Sequence, residues 1–189
     1  LIATSIAACL LSACDRSATE PTAQAAAPAA APASINDVEL IPRDALFGNP
    51  ERTNVQISPD GKYLSWVAAV DGVLNVWVAP RDDLSAARVV TQDGGRGIRF
   101  FRWSFAEGCL LYLQDKGGDE QWQVYSVDLS NGETRNLTPF EGISASIGAM
   151  SHKYPDDIVV AINNRNVSFH DIYRVNIKTG NMTLIQENN

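Results

Sequence analysis

The sequence predicts an all-β fold, a β-propeller of about three four-stranded blades that leaves the ring incomplete. Three observations predict it. From residue 35 onward, short β-rich runs alternate with turn signals, and no helical periodicity of useful length interrupts them. Landmarks recur at a fixed spacing: Trp77, Tyr125 and Tyr173 are 48 residues apart, as are Gly132 and Gly180, while Ser58, Ser104 and Ser151 are 46 and 47 apart. Four strands fit within each period, whereas a sandwich or barrel needs no common period.

The chain opens with a segment outside the fold. Residues 1–13 are apolar and small, too short to span a hydrocarbon core of about 30 Å but suited to the apolar region of a signal peptide that has lost its charged start. Leu11-Ser12-Ala13-Cys14 resembles the bacterial lipobox, and Cys14 is the expected lipidation site because the apolar run ends there. An acylated Cys14 would hold an exported, periplasm-facing chain at a membrane without a transmembrane helix. Residues 14–34 join this cysteine to an Ala/Pro-rich linker whose prolines block a continuous helix.

The partial propeller occupies residues 35–189. In a first blade, about residues 52–92, a strand at 54–58 runs into the turn Pro59-Asp60-Gly61. An alternating strand at 62–70, the turn Asp71-Gly72, a strand at 73–79 and a fourth at 88–91 complete it. In a second blade, about 98–139, the strands fall at 101–104, 109–114, 122–129 and 134–138, with Asn131-Gly132 supplying the positive φ of the last hairpin. A third, about 146–187, repeats the order at 147–151, 158–162, 170–177 and 182–186, with Thr179-Gly180 in the same turn. The spaced aromatics Trp77, Tyr125 and Tyr173 are expected between blades. Propellers close with four to eight blades. Together with an initial Leu1 in place of Met, this predicts a chain incomplete at both ends.

Composition narrows the function. The 189 residues carry 15 Lys+Arg against 22 Asp+Glu, a formal charge of −7, and no basic stripe, which argues against a nucleic-acid partner. Three cysteines, widely spaced, exclude a disulfide framework and a Cys-rich zinc site. No cofactor motif is present, and neither cofactor nor metal is expected.

Longer stretches carry a family resemblance. The turn Ser58-Pro59-Asp60-Gly61 resembles an element of TolB-type periplasmic propellers and of the prolyl oligopeptidase family. Residues 41–50 resemble the entry segment of bacterial dipeptidyl aminopeptidase/acylaminoacyl peptidases, residues 115–129 with 136–140 their second blade, and residues 169–180 their third. The resemblance implies the propeller of a prolyl oligopeptidase family serine peptidase, a cap that admits peptide substrates to a following α/β-hydrolase domain. That catalytic domain is absent from this chain. No Gly-x-Ser-x-Gly elbow occurs, and Gly142-Ile143-Ser144-Ala145-Ser146 lacks the second glycine, so no catalytic residue is expected here. The alternative is a non-catalytic TolB-like propeller lipoprotein whose ring mouth binds a protein partner.

Some dipeptidyl peptidases hold the substrate ammonium with propeller carboxylates. The resemblance therefore directs attention to Asp82-Asp83, Asp119-Glu120 and Asp156-Asp157, all read as turn residues, with Asp119 and Glu120 the preferred substrate-binding pair. His152 and His170 lack ligand partners at metal spacing and read as turn or interface histidines. Cys109 heads an apolar strand and reads as core. Arg96, Arg99 and Arg102 are interleaved with Phe100, Phe101 and Trp103. From residue 35 onward the charge is still −6, so inter-blade salt bridges are expected of them rather than anion binding.

Overall fold

A computed structural model describes residues 40–48 and 51–189. The signal-like segment, Cys14, the whole linker to residue 34 and residues 35–39 lie outside these residues. Residues 42–189 form one compact unit. The entry segment contributes a single helical turn, α1 (Arg43–Phe47), whose residues are all exposed.

Three four-stranded antiparallel meanders follow. The first blade holds β1 (Thr53–Ile57), β2 (Tyr63–Val70), β3 (Val73–Pro80) and β4 (Arg88–Val89). The second holds β5 (Phe100–Trp103), β6 (Cys109–Gln114), β7 (Gln123–Asp128) and β8 (Thr134–Asn136). The third holds β9 (Ala145–Ser151), β10 (Tyr154–Asn166), β11 (Phe169–Asn176) and β12 (Met182–Gln186). Each blade runs in sequence order from its first strand to its fourth.

Two apolar clusters join the blades face to face. Val67, Val76 and Val78 of the first blade pack with Phe101, Trp103, Leu110 and Tyr112 of the second. Leu111, Val124 and Leu137 of the second pack with Ile158, Val160 and Val175 of the third. Fully burying such side chains contributes about 1.5–3 kcal/mol each. The same alternation serves both joints, because successive strand residues point to opposite faces. Leu110 and Tyr112 therefore serve one cluster and Leu111 the other. Polar ties reinforce the first joint: Trp103 Nε1 donates to Ser65 Oγ at 2.8 Å, and Arg88 donates to the Leu129 carbonyl at 2.7 Å.

The aromatic register divides. Tyr125 packs on the first cluster, stacked on Tyr112 with ring centroids 5.1 Å apart, and Tyr173 packs on the second. Trp77, expected between blades, instead pairs across the strands with Trp66 on the face of the first blade turned away from the second. Its blade has no preceding neighbour among the described residues.

The turn glycines act as their spacing implies. Gly132 and Gly180 have φ of 74° and 76°, and their N–H groups close on the Asp128 and Asn176 carbonyls at 2.8 Å. Two strands differ from expectation. The fourth strand of the first blade stops at Val89, because Thr91 turns its side chain to the sheet: its Oγ1 accepts the Val76 N–H at 2.9 Å. The second strand of the third blade extends back to Tyr154, which pairs with Ser151 in a tight hairpin. Asp156 and Asp157, expected in a turn, therefore lie in β10.

Candidate functional site

One end of the blades gathers three connections: residues 90–99 between β4 and β5, 115–122 between β6 and β7, and 137–144 between β8 and β9. They enclose an open cup of about 820 Å³, whose lining includes Asp93, Arg96, Asp115, Asp119, Gln123 and Glu141. Two glycines shape it. Gly97, at φ 85°, presses the first connection against β3 so closely that a Cβ there would meet the Leu74 nitrogen at 2.9 Å. Gly118, at φ 91°, lies under the Arg96 side chain.

A hydrogen-bonded network holds the cup. Asp93 Oδ1 accepts from Gln114 Nε2 at 3.0 Å and from the Gly95 N–H at 3.2 Å. Arg96 Nη1 lies 2.9 Å from Asp115 Oδ2, and the Asp115 side chain is almost wholly buried. Gln121 Oε1 accepts the Gly142 N–H at 3.1 Å, linking the second and third connections. The preferred pair sits in the second connection, both residues exposed. Asp119 Oδ1 accepts the Lys116 and Gln121 N–H groups at 3.2 and 3.0 Å, so one carboxylate oxygen shapes its own turn. Glu120 adopts φ 59°, and its N–H donates to Asp115 Oδ2 at 3.3 Å. Asp119 lines the cup and Glu120 lies beside it.

The other acidic pairs are committed elsewhere. Asp82 pairs with Arg81 at 2.9 Å, and Asp83 caps the short turn Leu84–Ala86 by accepting the Ser85 N–H. The Arg81 guanidinium holds the Asp82 carboxyl below the usual carboxylate range. Asp156 pairs with Lys178 at 2.9 Å, and Asp157 accepts from Asn176 Nδ2 at 2.9 Å.

The arginine cluster departs from expectation. Arg96 forms its ion pair with Asp115, but Arg99 and Arg102 make no ion pair among the described residues. Arg102 is exposed because it alternates on β5 with buried Phe101 and Trp103. At the opposite end, His152 meets Phe105 edge to face, centroids 5.9 Å apart, beside the Lys62–Glu107 pair. His170 is exposed on β11. Cys109 lies in the second cluster, and burial pushes its thiol up to about 11. It is unsuited to act as a nucleophile near neutral pH.

Sequence reading missed a second periodic position, two residues before each spaced aromatic: Asn75, Gln123 and Asp171, again 48 apart. In each blade this side chain ties down the segment leaving the fourth strand. Asn75 Oδ1 accepts the Asp93 N–H at 2.8 Å, Gln123 Nε2 donates to the Phe140 carbonyl at 2.9 Å, and Asp171 Oδ1 accepts the Asn188 N–H at 2.8 Å. The signal lay in the register already read from the aromatics. It was hidden because three different residue types fill the position.

No protein-family model matches the chain. Among curated proteins, it is 58% identical over 168 residues to dipeptidyl aminopeptidase BIII of Pseudoxanthomonas mexicana, a match covering 89% of this chain and 24% of that protein. The chain thus spans about a quarter of the length of this relative. Among solved structures, it matches the β-propeller domain of the Trilobed protease from Pyrococcus furiosus with a TM-score of 0.54 and 25% identity, over 72% of this chain and 44% of that one. It also matches a putative TolB from Agrobacterium tumefaciens with a TM-score of 0.53 and 21% identity, over 72% and 47%, a likeness of fold. Sequence and fold together make the chain a β-propeller segment related to dipeptidyl aminopeptidase BIII and built like the propellers of peptidases.

Proposed function

We propose that the chain is the substrate-screening propeller of a serine peptidase that removes dipeptides from peptide N-termini, with hydrolysis carried by an α/β-hydrolase domain outside these 189 residues. The observation that carries this reading is the 58% identity to dipeptidyl aminopeptidase BIII across 168 residues. In this role the blades do no bond-breaking. Their connections form a polar rim carrying Asp93, Asp115, Asp119 and Glu141, which a cationic peptide terminus can approach. Asp119 and Glu120 are the carboxylates proposed to meet the substrate ammonium; their exposure supports the role, and the turn bonds of Asp119 leave Oδ2 for it. Cys14 is proposed to carry the acyl anchor that keeps the enzyme on the periplasmic side of a membrane.

The test is to express the full reading frame that contains these residues and assay it on dipeptidyl chromogenic substrates and with a fluorophosphonate probe. Dipeptide release together with labelling of a serine beyond residue 189 is the expected result. A product that neither cleaves nor takes the label overturns the reading in favour of a binding propeller.

A further inference from the structure

Arg99 and Arg102 are the arginines that the ion pairs of the cup leave over. Both are exposed, and neither makes a hydrogen bond, an ion pair or a ring contact among the described residues. Their place follows from the strand. Arg99 closes the first connection of the cup, and β5 starts at the next residue. β5 is the first strand of its blade and borders the centre, where Gln56 Nε2 of β1 donates to the Phe101 carbonyl at 2.9 Å. Alternation turns Phe101 and Trp103 into the core and leaves Phe100 and Arg102 facing out, Phe100 61% exposed. These two lie about 7 Å apart along the strand. From the edge of the cup inward, the order is cation, exposed aromatic, cation.

Free positive charge at this place runs against its surroundings. The chain carries −7, and the cup beside these arginines presents Asp93, Asp119 and Glu141. Arg96, three residues earlier, is already bound to Asp115 at 2.9 Å. A peptide is a zwitterion, so a rim that is only acidic attracts one end of it and repels the other. Two free guanidinium groups beside the carboxylates remove that repulsion, and each can grip a carboxylate through two parallel N–H donors.

We propose that Arg99 and Arg102 receive the C-terminal carboxylate of the substrate, and so favour short peptides with a free C-terminus. The proposal rests on the peptidase reading and deepens it. Chain geometry sets the reach. Asp119 follows Gly118, which lies under the Arg96 side chain. Arg99 and Arg102 come three and six residues after Arg96, so an extended chain holds them within about 10 and 20 Å of it. An extended peptide covers that span in roughly three to six residues. With the ammonium at Asp119 and Glu120, the carboxylate falls in the portion that departs once the first two residues are cut off. Phe100, exposed between the guanidinium groups, offers an apolar surface to the side chain beside it.

The test uses the enzyme of the full reading frame and two pentapeptides, identical except that one ends in a carboxylate and the other in an amide. The expected kcat/KM is on the order of threefold to tenfold higher for the free acid, the range that exposed ion pairs supply. The advantage should shrink at high salt. In the double variant Arg99→Gln/Arg102→Gln the two peptides are cleaved alike. Because the ratio is internal to each protein, partial loss of folded enzyme cancels from it. Arg174→Gln removes another exposed, unpartnered arginine, on β11, and keeps the preference. A wild type that cleaves both pentapeptides equally well overturns the inference alone. So does a preference that survives in the double variant, or one that Arg174→Gln abolishes as well, since net charge would then be its cause. A wild type that cleaves neither pentapeptide nor a dipeptidyl chromogenic substrate overturns the peptidase reading, and this inference with it.

Discussion

Asp171 shows how much one side chain can hold at the end of a blade. Its carboxylate is wholly buried and takes the Arg165 guanidinium in a two-pronged grip, at 2.7 and 3.0 Å, together with the Asn188 N–H. Arg165 also donates to the Asn188 carbonyl at 2.8 Å, so both partners fasten the same departing segment. The guanidinium, helped by the Asn188 N–H, holds the Asp171 carboxyl below the usual carboxylate range. A carboxyl depressed in the folded state contributes stability that is fully present above its unfolded value of about 3.9 and is lost as pH falls through the folded one. Denaturant titrations below about pH 4 should therefore show wild-type stability falling more steeply than that of Asp171→Asn, which is also the less stable protein at neutral pH. Equal acid slopes would show that the pair carries no linkage. Nothing in the local sequence marked this residue. Only its place in the 48-residue register relates it to Asn75 and Gln123, and a carboxylate, unlike those amides, is buried with a cation beside it, here Arg165 six residues earlier in the same hairpin.

At the scale of the element, the fourth strands explain both what was legible and what was not. Hairpins with Asn-Gly and Thr-Gly turns were legible because positive φ favours glycine, and the middle strands were legible because their runs of β-branched and aromatic residues supply the clusters between blades. The outer strands were not. Residues 88–91 have strong β propensity, yet the ladder ends at Val89 and a threonine hydroxyl completes it. The second blade repeats the device: Thr138 Oγ1 accepts the Val124 N–H at 3.0 Å, and Thr138 is fully buried. Thr138→Val keeps the shape but leaves a buried N–H unpaired, at a cost of about 1–3 kcal/mol. Thr138→Ser retains the acceptor and should recover most of that loss. Urea unfolding of the three proteins measures both, and equal midpoints for Val and Ser would show that the hydroxyl does not carry the bond. The acidic pairs were separable only in part: carboxylates in turns and in strands look alike in sequence, and it is the Lys178 and Asn176 side chains across the sheet that permit Asp156 and Asp157 to stand in β10.

At the scale of the molecule, the period announced the blades, and the comparisons attached them to peptidases. The rim end was legible only as a set of loops, because its geometry depends on contacts such as Arg96 with Asp115 and Gln121 with Gly142 that join residues 19 and 21 positions apart. The proposed anchor also belongs to this scale, since it governs where the whole chain resides. In a bacterial host, Cys14→Ala should shift the protein from the membrane pellet to the soluble fraction, and an unchanged distribution would remove the lipid. A final consequence follows from the shortness of β4 and β8, two and three residues long. A sheet rim offering so few free amides gives an incoming strand almost nothing to zip onto. The first two blades thereby confine their stickiness to broad side-chain faces, where fit selects the partner. Backbone ribbons, where any extended peptide would serve and fibrils begin, are kept at these two rims too short to template one.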